Sequence, residues 1–256
     1  MFATMLFLLM VVVGYLVGSV CSAVIVCRMF GLPDPRIEGS QNPGATNVLR
    51  LAGKQYAVIV LVADMLKGLL PVLLARALDA GAITVSFTCL AAVLGHMYPV
   101  FFGFKGGKGV ATALGALLGL HFMLGVVVIA TWLLVANFSR YSSLASIVSV
   151  VLAPVYSLFA LGNSNAFIPL VIIAVFVLYK HRQNVSRLID GTEPKIIFRR
   201  KGSKEGVINR ELTPTEVHTV DVHEVPEQPA PPIVSTATPE LIVKKRKSRK
   251  KPQPAP

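Results

Sequence analysis

Four short polar stretches interrupt an otherwise apolar chain, and each is built from residue types that hold phosphate. The first is Gly39-Ser40-Gln41-Asn42-Pro43-Gly44-Ala45-Thr46-Asn47-Val48-Leu49-Arg50. Its glycines allow close backbone approach, Ser40, Asn42, Thr46 and Asn47 offer hydrogen bonds, and Arg50 can grip a phosphate with two parallel donors. The second, Gly95 to Thr112, contains Gly103-Phe104-Lys105-Gly106-Gly107-Lys108-Gly109, with four glycines and two lysines in seven residues directly before a helix. Free amides of Gly106 and Gly107, a helix N-terminus and the ammonium groups of Lys105 and Lys108 together suit an anion. The third is Arg140-Tyr141-Ser142-Ser143, where Ser143 can cap a helix or donate to a bound anion. Taken alone, the cap is the better reading. The fourth runs from His181 to Glu193. In it His181 and Asn184 share a face if helix continues, an arrangement suited to a polyol hydroxyl, with Arg187 and Glu193 close behind.

What is missing narrows the chemistry. No serine or cysteine has an obvious His/Asp partner that would make it a nucleophile, and no cluster of His, Cys, Asp and Glu has metal-ligand spacing, so neither metal nor cofactor is expected. Lys108 is followed by Gly109 where a nucleotide-binding loop needs Ser or Thr, and the segment before it reads as membrane helix, not strand. His96 has apolar neighbours and no carboxylate nearby in sequence, which favours a hydrogen-bonded structural role over that of a base. The substrate must therefore arrive already activated, and acidic, since almost no acids besides Asp64 and Glu193 accompany these basic groups.

The elements that must position these stretches are membrane helices. With 54% hydrophobic side chains and a mean hydropathy of +0.65, the chain reads as an all-α integral membrane protein. Apolar segments fall at about 2–27, 56–76, 82–98, 109–120, 122–138, 143–161 and 166–180, about seven transmembrane helices joined by short glycine-rich cytoplasmic loops. Residues 109–138 could be one long tilted helix or two short ones turning near His121. Only the second reading puts the basic loops, with Arg28, Arg36, Arg50 and Lys54, Lys105 and Lys108, Arg140, and Lys180 to Lys195, on one side. The positive-inside rule makes that side cytoplasmic, with the N-terminus outside and the C-terminus inside. The first apolar run lacks a basic leader and a cleavage site, so it reads as a retained helix. Cys21, Cys27 and Cys89 lie inside apolar runs as small buried hydrophobes.

Segment 109–120 is too short to span a bilayer as a lipid-facing helix and needs protein around it. Gly115 and Gly119, like Gly14 and Gly18 in the first segment, would let neighbouring helices approach. Asp64 and Lys67 share one helical face within the apolar thickness. Two readings stand: a mutually neutralising ion pair, or, together with His96, the lining of a polar cavity open to the cytoplasm. Pro71 is a candidate bend. Residues 199–256 lose all periodicity, become Pro-rich and end on Lys244 to Lys251 with seven basic residues in eight, which predicts a disordered cytoplasmic tail. The formal charge of +12 fits cytoplasmic loops and anionic headgroups, and no nucleic acid partner is expected.

Gly39-Ser40-x-Asn42-Pro43-Gly44-Ala45-Thr46-Asn47-Val48-Leu49-Arg50, Asp64-x-x-Lys67-Gly68, Gly95-His96 through Gly103-Phe104-Lys105-Gly106-Gly107-Lys108-Gly109, and His181-Arg182-x-Asn184 through Gly191-Thr192-Glu193 resemble the bacterial acyl-phosphate:glycerol-3-phosphate acyltransferase family. The resemblance covers roughly residues 5–198; Gln41 stands where glycine is expected, and the basic tail is extra. It implies a membrane acyltransferase domain over 1–198, in the bacterial inner membrane with its site facing the cytoplasm. It also implies the reaction: acyl transfer from long-chain acyl phosphate to the first hydroxyl of glycerol 3-phosphate, giving lysophosphatidic acid and phosphate without a covalent enzyme intermediate. Membrane lipids, and functional coupling to the enzyme that makes acyl phosphate, are the implied partners. Catalytic roles fall to Ser40, Arg50, Lys108, His181 and Asn184. Substrate binding falls to Asn42, Thr46, Asn47, Lys105, Gly106, Gly107, Ser143, Arg187 and Glu193. A transporter or flippase for a phosphorylated lipid or polyol is the rival, but it predicts polar stretches on both faces or internal repeats. An acyl-CoA-dependent enzyme would carry His-x-x-x-x-Asp, which none of the five histidines satisfies.

Overall fold

A computed structural model describes residues 1–196, and they are helical throughout their regular structure. The tail expected over 199–256 lies outside the described residues. The ten helices are α1 (Phe2–Gly18), α2 (Ser22–Met29), α3 (Ala45–Ala52), α4 (Lys54–Ala77), α5 (Ala82–Met97), α6 (Val110–Leu120), α7 (Phe122–Ser139), α8 (Ser142–Leu161), α9 (Phe167–Lys180) and α10 (Arg182–Ile189). Five apolar stretches have the length and hydropathy of a membrane span: Phe2–Met29, Lys54–Ala77, Ala82–Phe102, Phe122–Ser139 and Ser142–Leu161. Val110–Leu120 and Phe167–Lys180 are apolar but shorter.

The apolar run expected to be one helix over 2–27 is broken at Ser19–Cys21. The break leaves the Val20 carbonyl without a helical partner, and Lys67 Nζ of α4 donates to it at 2.7 Å. An unpaired backbone carbonyl inside an apolar bundle costs several kcal/mol, roughly, so this lysine keeps the chain intact where it unwinds. The reading of 109–138 as two helices holds: His121, in an extended conformation, separates α6 from α7. Arg76 at the end of α4 donates to the Gly119 carbonyl at 3.1 Å and so occupies the last turn of α6.

At eleven residues α6 is about 16 Å long, against a hydrocarbon core of roughly 30 Å. It is shielded by protein, with Thr112 to Leu117 and Gly119 buried and α4, α5 and α7 packed along it. Gly115 has the Met65 backbone of α4 against it, so closely that a methyl group would collide, and Gly18 meets the Ala92 backbone of α5 in the same way. The main core joins Met10, Val72, Cys89, Val93, Leu117, Leu124 and Leu170, drawn from six helices. All three cysteines are free and buried.

α3 forms where only a loop is expected. It is short, and it presents Asn47 and Val48 inward while Thr46 and Arg50 stay exposed.

Candidate functional site

The four polar stretches meet at one end of the bundle. A side chain on Gly107 would come within 3.0 Å of the Pro43 carbonyl, which puts the first stretch against the second. Lys108 Nζ donates to the Asn184 side-chain carbonyl, joining the second to the fourth. Just past the fourth stretch, the Ile196 amide donates to the Arg140 carbonyl at 2.7 Å and Lys195 lies over the Tyr141 ring, which brings the chain leaving the fourth against the third. The connections with few charges, around Arg76 to Ala82, Leu120 and Leu161 to Ala166, gather at the opposite end of α4 around a hollow of about 440 Å³. A second hollow of about 570 Å³ lies over the α3–α4 turn, lined by Ala52, Gly53, Lys54, Gln55 and Val58, none of them from the four polar stretches.

Lys108, Asn184, Glu193 and Arg187 form a chain. Asn184 Nδ2 donates to Glu193 Oε1 at 2.7 Å, and Arg187 Nε donates to Glu193 Oε2 at 2.7 Å. α10 makes this possible by carrying Asn184 and Arg187 one turn apart, while a turn at Asp190 to Thr192 brings Glu193 back to them, its amide bonded to the Arg187 carbonyl. Burial works against the Glu193 charge, but the amide, the guanidinium and the neighbouring Ser143 hydroxyl outweigh it and hold the carboxyl below its ordinary value. Ser143 is buried at the start of α8 and makes no cap hydrogen bond there. The cap expected of it is therefore not made, and its hydroxyl faces the cluster.

Burial, with the positive charges of Arg187 and Arg50, pushes the Lys108 ammonium down to about 8 although Glu193 opposes the shift. His181 sits at the α9–α10 junction, and burial followed by the Lys108 charge pushes it down to about 4. Its Nδ1 is 2.8 Å from the Val177 carbonyl, which can only accept, so the proton is on Nδ1 and Nε2 keeps its lone pair. Near pH 7 His181 is therefore a neutral imidazole with a free acceptor.

The first stretch is organised from within. Asn47 uses its whole amide: Nδ2 donates to the Pro35 and Glu38 carbonyls at 3.0 Å each, and Oδ1 accepts from the Ser40 amide at 2.8 Å. Both amide hydrogens are thus engaged within its own loop. Its effect is to fix Ser40. Gln41, at the position where glycine was expected, holds φ +56, a left-handed conformation that glycine adopts without strain. Arg36 is neutralised locally by Asp34 at 2.6 Å, whereas Arg50 has no carboxylate partner among the described residues. Ser40, Thr46, Arg50 and Lys105 are exposed and Asn42 is half-buried.

Asp64, Lys67 and His96 do not line an open cavity. All three are buried, with Lys67 Nζ 2.7 Å and His96 Nδ1 3.5 Å from Asp64 Oδ1, which is the ion-pair reading. Two groups near the site carry little sequence signal. Lys180 donates to the Met97 carbonyl at 3.2 Å and stacks on the Tyr98 ring, and the Tyr15 hydroxyl donates to the Tyr98 carbonyl at 2.8 Å. Both fix the exit of α5 into the glycine–lysine loop. Lys180 reads in sequence as a topological charge only; its place directly before His181 was the available clue.

A family model described as glycerol-3-phosphate acyltransferase matches residues 8–191. A glycerol-3-phosphate acyltransferase of Legionella pneumophila (strain Corby) is 68% identical over 194 residues, covering 76% of this chain and 70% of that one. One from Coxiella burnetii (strain RSA 493 / Nine Mile phase I) is 50% identical over 192 residues, covering 75% of this chain and 99% of that one. The crystal structure of PlsY (YgiH), an integral membrane glycerol 3-phosphate acyltransferase in its glycerol 3-phosphate form, superposes with a TM-score of 0.71 at 41% identity, over 75% of this chain and 96% of that one. Its lysophosphatidic acid form gives 0.68 at 40% identity, over 74% and 94%.

Proposed function

The chain belongs to the glycerol-3-phosphate acyltransferase family, and on that premise we propose that it transfers a fatty acyl group from acyl phosphate to the sn-1 hydroxyl of glycerol 3-phosphate. The products are lysophosphatidic acid and inorganic phosphate, the first step of phospholipid synthesis. The observation that carries this reading is the linked set Lys108, Asn184, Glu193 and Arg187, with the Ser143 hydroxyl and the free His181 Nε2 beside it. The set offers cations and neutral hydrogen-bonding groups together, which suits a phosphorylated polyol and a second phosphate.

An acyl phosphate is a mixed anhydride, so its acyl carbon is activated before it arrives. The glycerol hydroxyl attacks that carbon, the bond from carbon to the bridging oxygen breaks, and phosphate leaves with the electron pair. Lys108, Arg50 and the Gly106 amide hold phosphate charge, with Ser40, Asn42, Thr46 and Lys105 at the rim; the Gly107 amide is taken by the His96 carbonyl and serves the shape of the loop. Ser143, His181, Asn184 and Arg187 orient glycerol 3-phosphate, and Glu193 holds Asn184 and Arg187 in place. The hydroxyl proton goes to His181 Nε2 or to a phosphoryl oxygen of the donor, and no covalent enzyme intermediate forms. The site faces the cytoplasm of a bacterial inner membrane, with seven crossings and the N-terminus outside. The lipophilic donor comes from the enzyme that makes acyl phosphate.

The test offers purified protein labelled glycerol 3-phosphate with acyl phosphate, acyl-CoA or acyl carrier protein. Lysophosphatidic acid should form with acyl phosphate; product from acyl-CoA alone would reject the donor.

A further inference from the structure

The buried Asp64–Lys67–His96 cluster lies outside the reacting groups, yet it touches the loop that presents them. The His96 carbonyl accepts the Gly107 amide at 3.2 Å, and any side chain on Gly106 would strike that same carbonyl. A side chain on Gly107 would strike His96 Nε2, so the imidazole lies directly against the Gly107 backbone. On the other edge of the ring, His96 Nδ1 is buried with no hydrogen-bond partner of standard geometry, and it faces Asp64 Oδ1 at 3.5 Å. Lys67 balances Asp64 at 2.7 Å and is itself tied to the Val20 carbonyl at the break after α1. A continuous line of contacts thus runs from the broken first span through α4 and the end of α5 to the two glycines one step before Lys108.

We propose that Asp64, acting through His96, is a positioning pair that holds the Gly106–Gly107 backbone in the shape that receives phosphate. The proposal rests on the acyltransferase reading above. Neither residue touches substrate. Asp64 sets the plane of the imidazole, the imidazole and the His96 carbonyl hold Gly107, and the loop keeps Lys108, the next residue, in place. A loop held this way binds phosphate without first paying an ordering cost, so its loosening should appear in KM before kcat.

The experiment measures steady-state kinetics and thermal stability of the full chain in detergent for three variants. His96→Gln leaves the Asp64–Lys67 pair whole. Asp64→Asn with Lys67→Met removes the pair without stranding a charge, at the cost of the Lys67 bond to the Val20 carbonyl, so its melting temperature falls while its KM is read against that of His96→Gln. The third combines all three changes. His96→Gln should raise KM for a phosphate-bearing substrate about tenfold with kcat within about threefold and an unchanged melting temperature. The double variant should show the same shift, and the combination no more than either, because the two act through one path. Wild-type KM in a folded His96→Gln protein would overturn the proposal, as would additive shifts. So would loss of fold in both single-path variants, which would mark the cluster as needed only by the bundle. Calorimetric titration of wild type with glycerol 3-phosphate and with inorganic phosphate keeps the two readings apart. No acyl transfer by wild type defeats the acyltransferase reading, whereas normal wild-type transfer with unshifted variants defeats only this one.

Discussion

Two charged clusters in this molecule use the same side-chain types for opposite ends. Around Asp64 one carboxylate meets one ammonium and an imidazole, all buried. Around Glu193 one carboxylate meets Arg187 directly and Lys108 through Asn184, with Arg50 acting on Lys108 from outside, so positive charge is left over. The first cluster is closed and balanced, as the interior of a membrane protein requires. The second keeps an excess of positive charge where the bundle opens, which is the character that the proposed phosphate site requires. Balance, more than the presence of charge, separates scaffold from site.

Breaking the balance of the closed cluster should have the largest effect. Lys67→Met alone strands the Asp64 carboxylate and the Val20 carbonyl and should destabilise the protein by about 3–5 kcal/mol, while Lys67→Met with Asp64→Asn should destabilise it less, because only the carbonyl is then left without its partner; melting curves of the two proteins decide it. Next comes Lys108→Ala, which on the proposed role of Lys108 as a donor to the reacting phosphate should lower turnover about 10²–10³-fold in a protein that still melts normally. Wild-type rates there would remove Lys108 from the chemistry.

The third effect is a pH dependence. Lys108 carries its proton below about 8 and releases it above. KM for a phosphate substrate should therefore climb as pH rises through that value, and Lys108→Arg, whose charge does not titrate in this range, should flatten the climb. Asn47→Ala should raise KM by about tenfold at most through loss of the Ser40 anchor, and a larger fall in stability than in affinity would show that the loop serves the fold instead. The smallest change is Gln41→Gly: relief of a left-handed glutamine should stabilise by about 1 kcal/mol or leave stability unchanged, with activity intact.

Most of the fold is readable from apolar run lengths. α4 to α9 start and stop where glycine, charge or a lone His121 interrupts hydropathy. The break at Ser19–Cys21 was not readable, because Val20 and Cys21 are as apolar as their neighbours and the cause, Lys67, is distant in sequence. α3 was hidden by its mixture of Thr46, Asn47 and Arg50, which reads as loop until Val48 is seen buried beneath it. At the site, residue types pointed to phosphate, but partners did not. Asn47 and Ser143 look alike as hydrogen-bonding residues in sequence; in the fold the Asn47 amide ties its own loop together, whereas the Ser143 hydroxyl stands beside the Glu193 carboxylate.

The shortness of α6 has a consequence for traffic. Its two ends cannot both reach the water surfaces of a bilayer about 30 Å thick, and Lys108 stands just before its first residue. If the shortfall is taken up at that end, the meeting point of the reactants is sunk into the headgroup layer. An amphiphilic donor could then enter, and an amphiphilic product depart, sideways along the leaflet without a tail ever crossing open solvent.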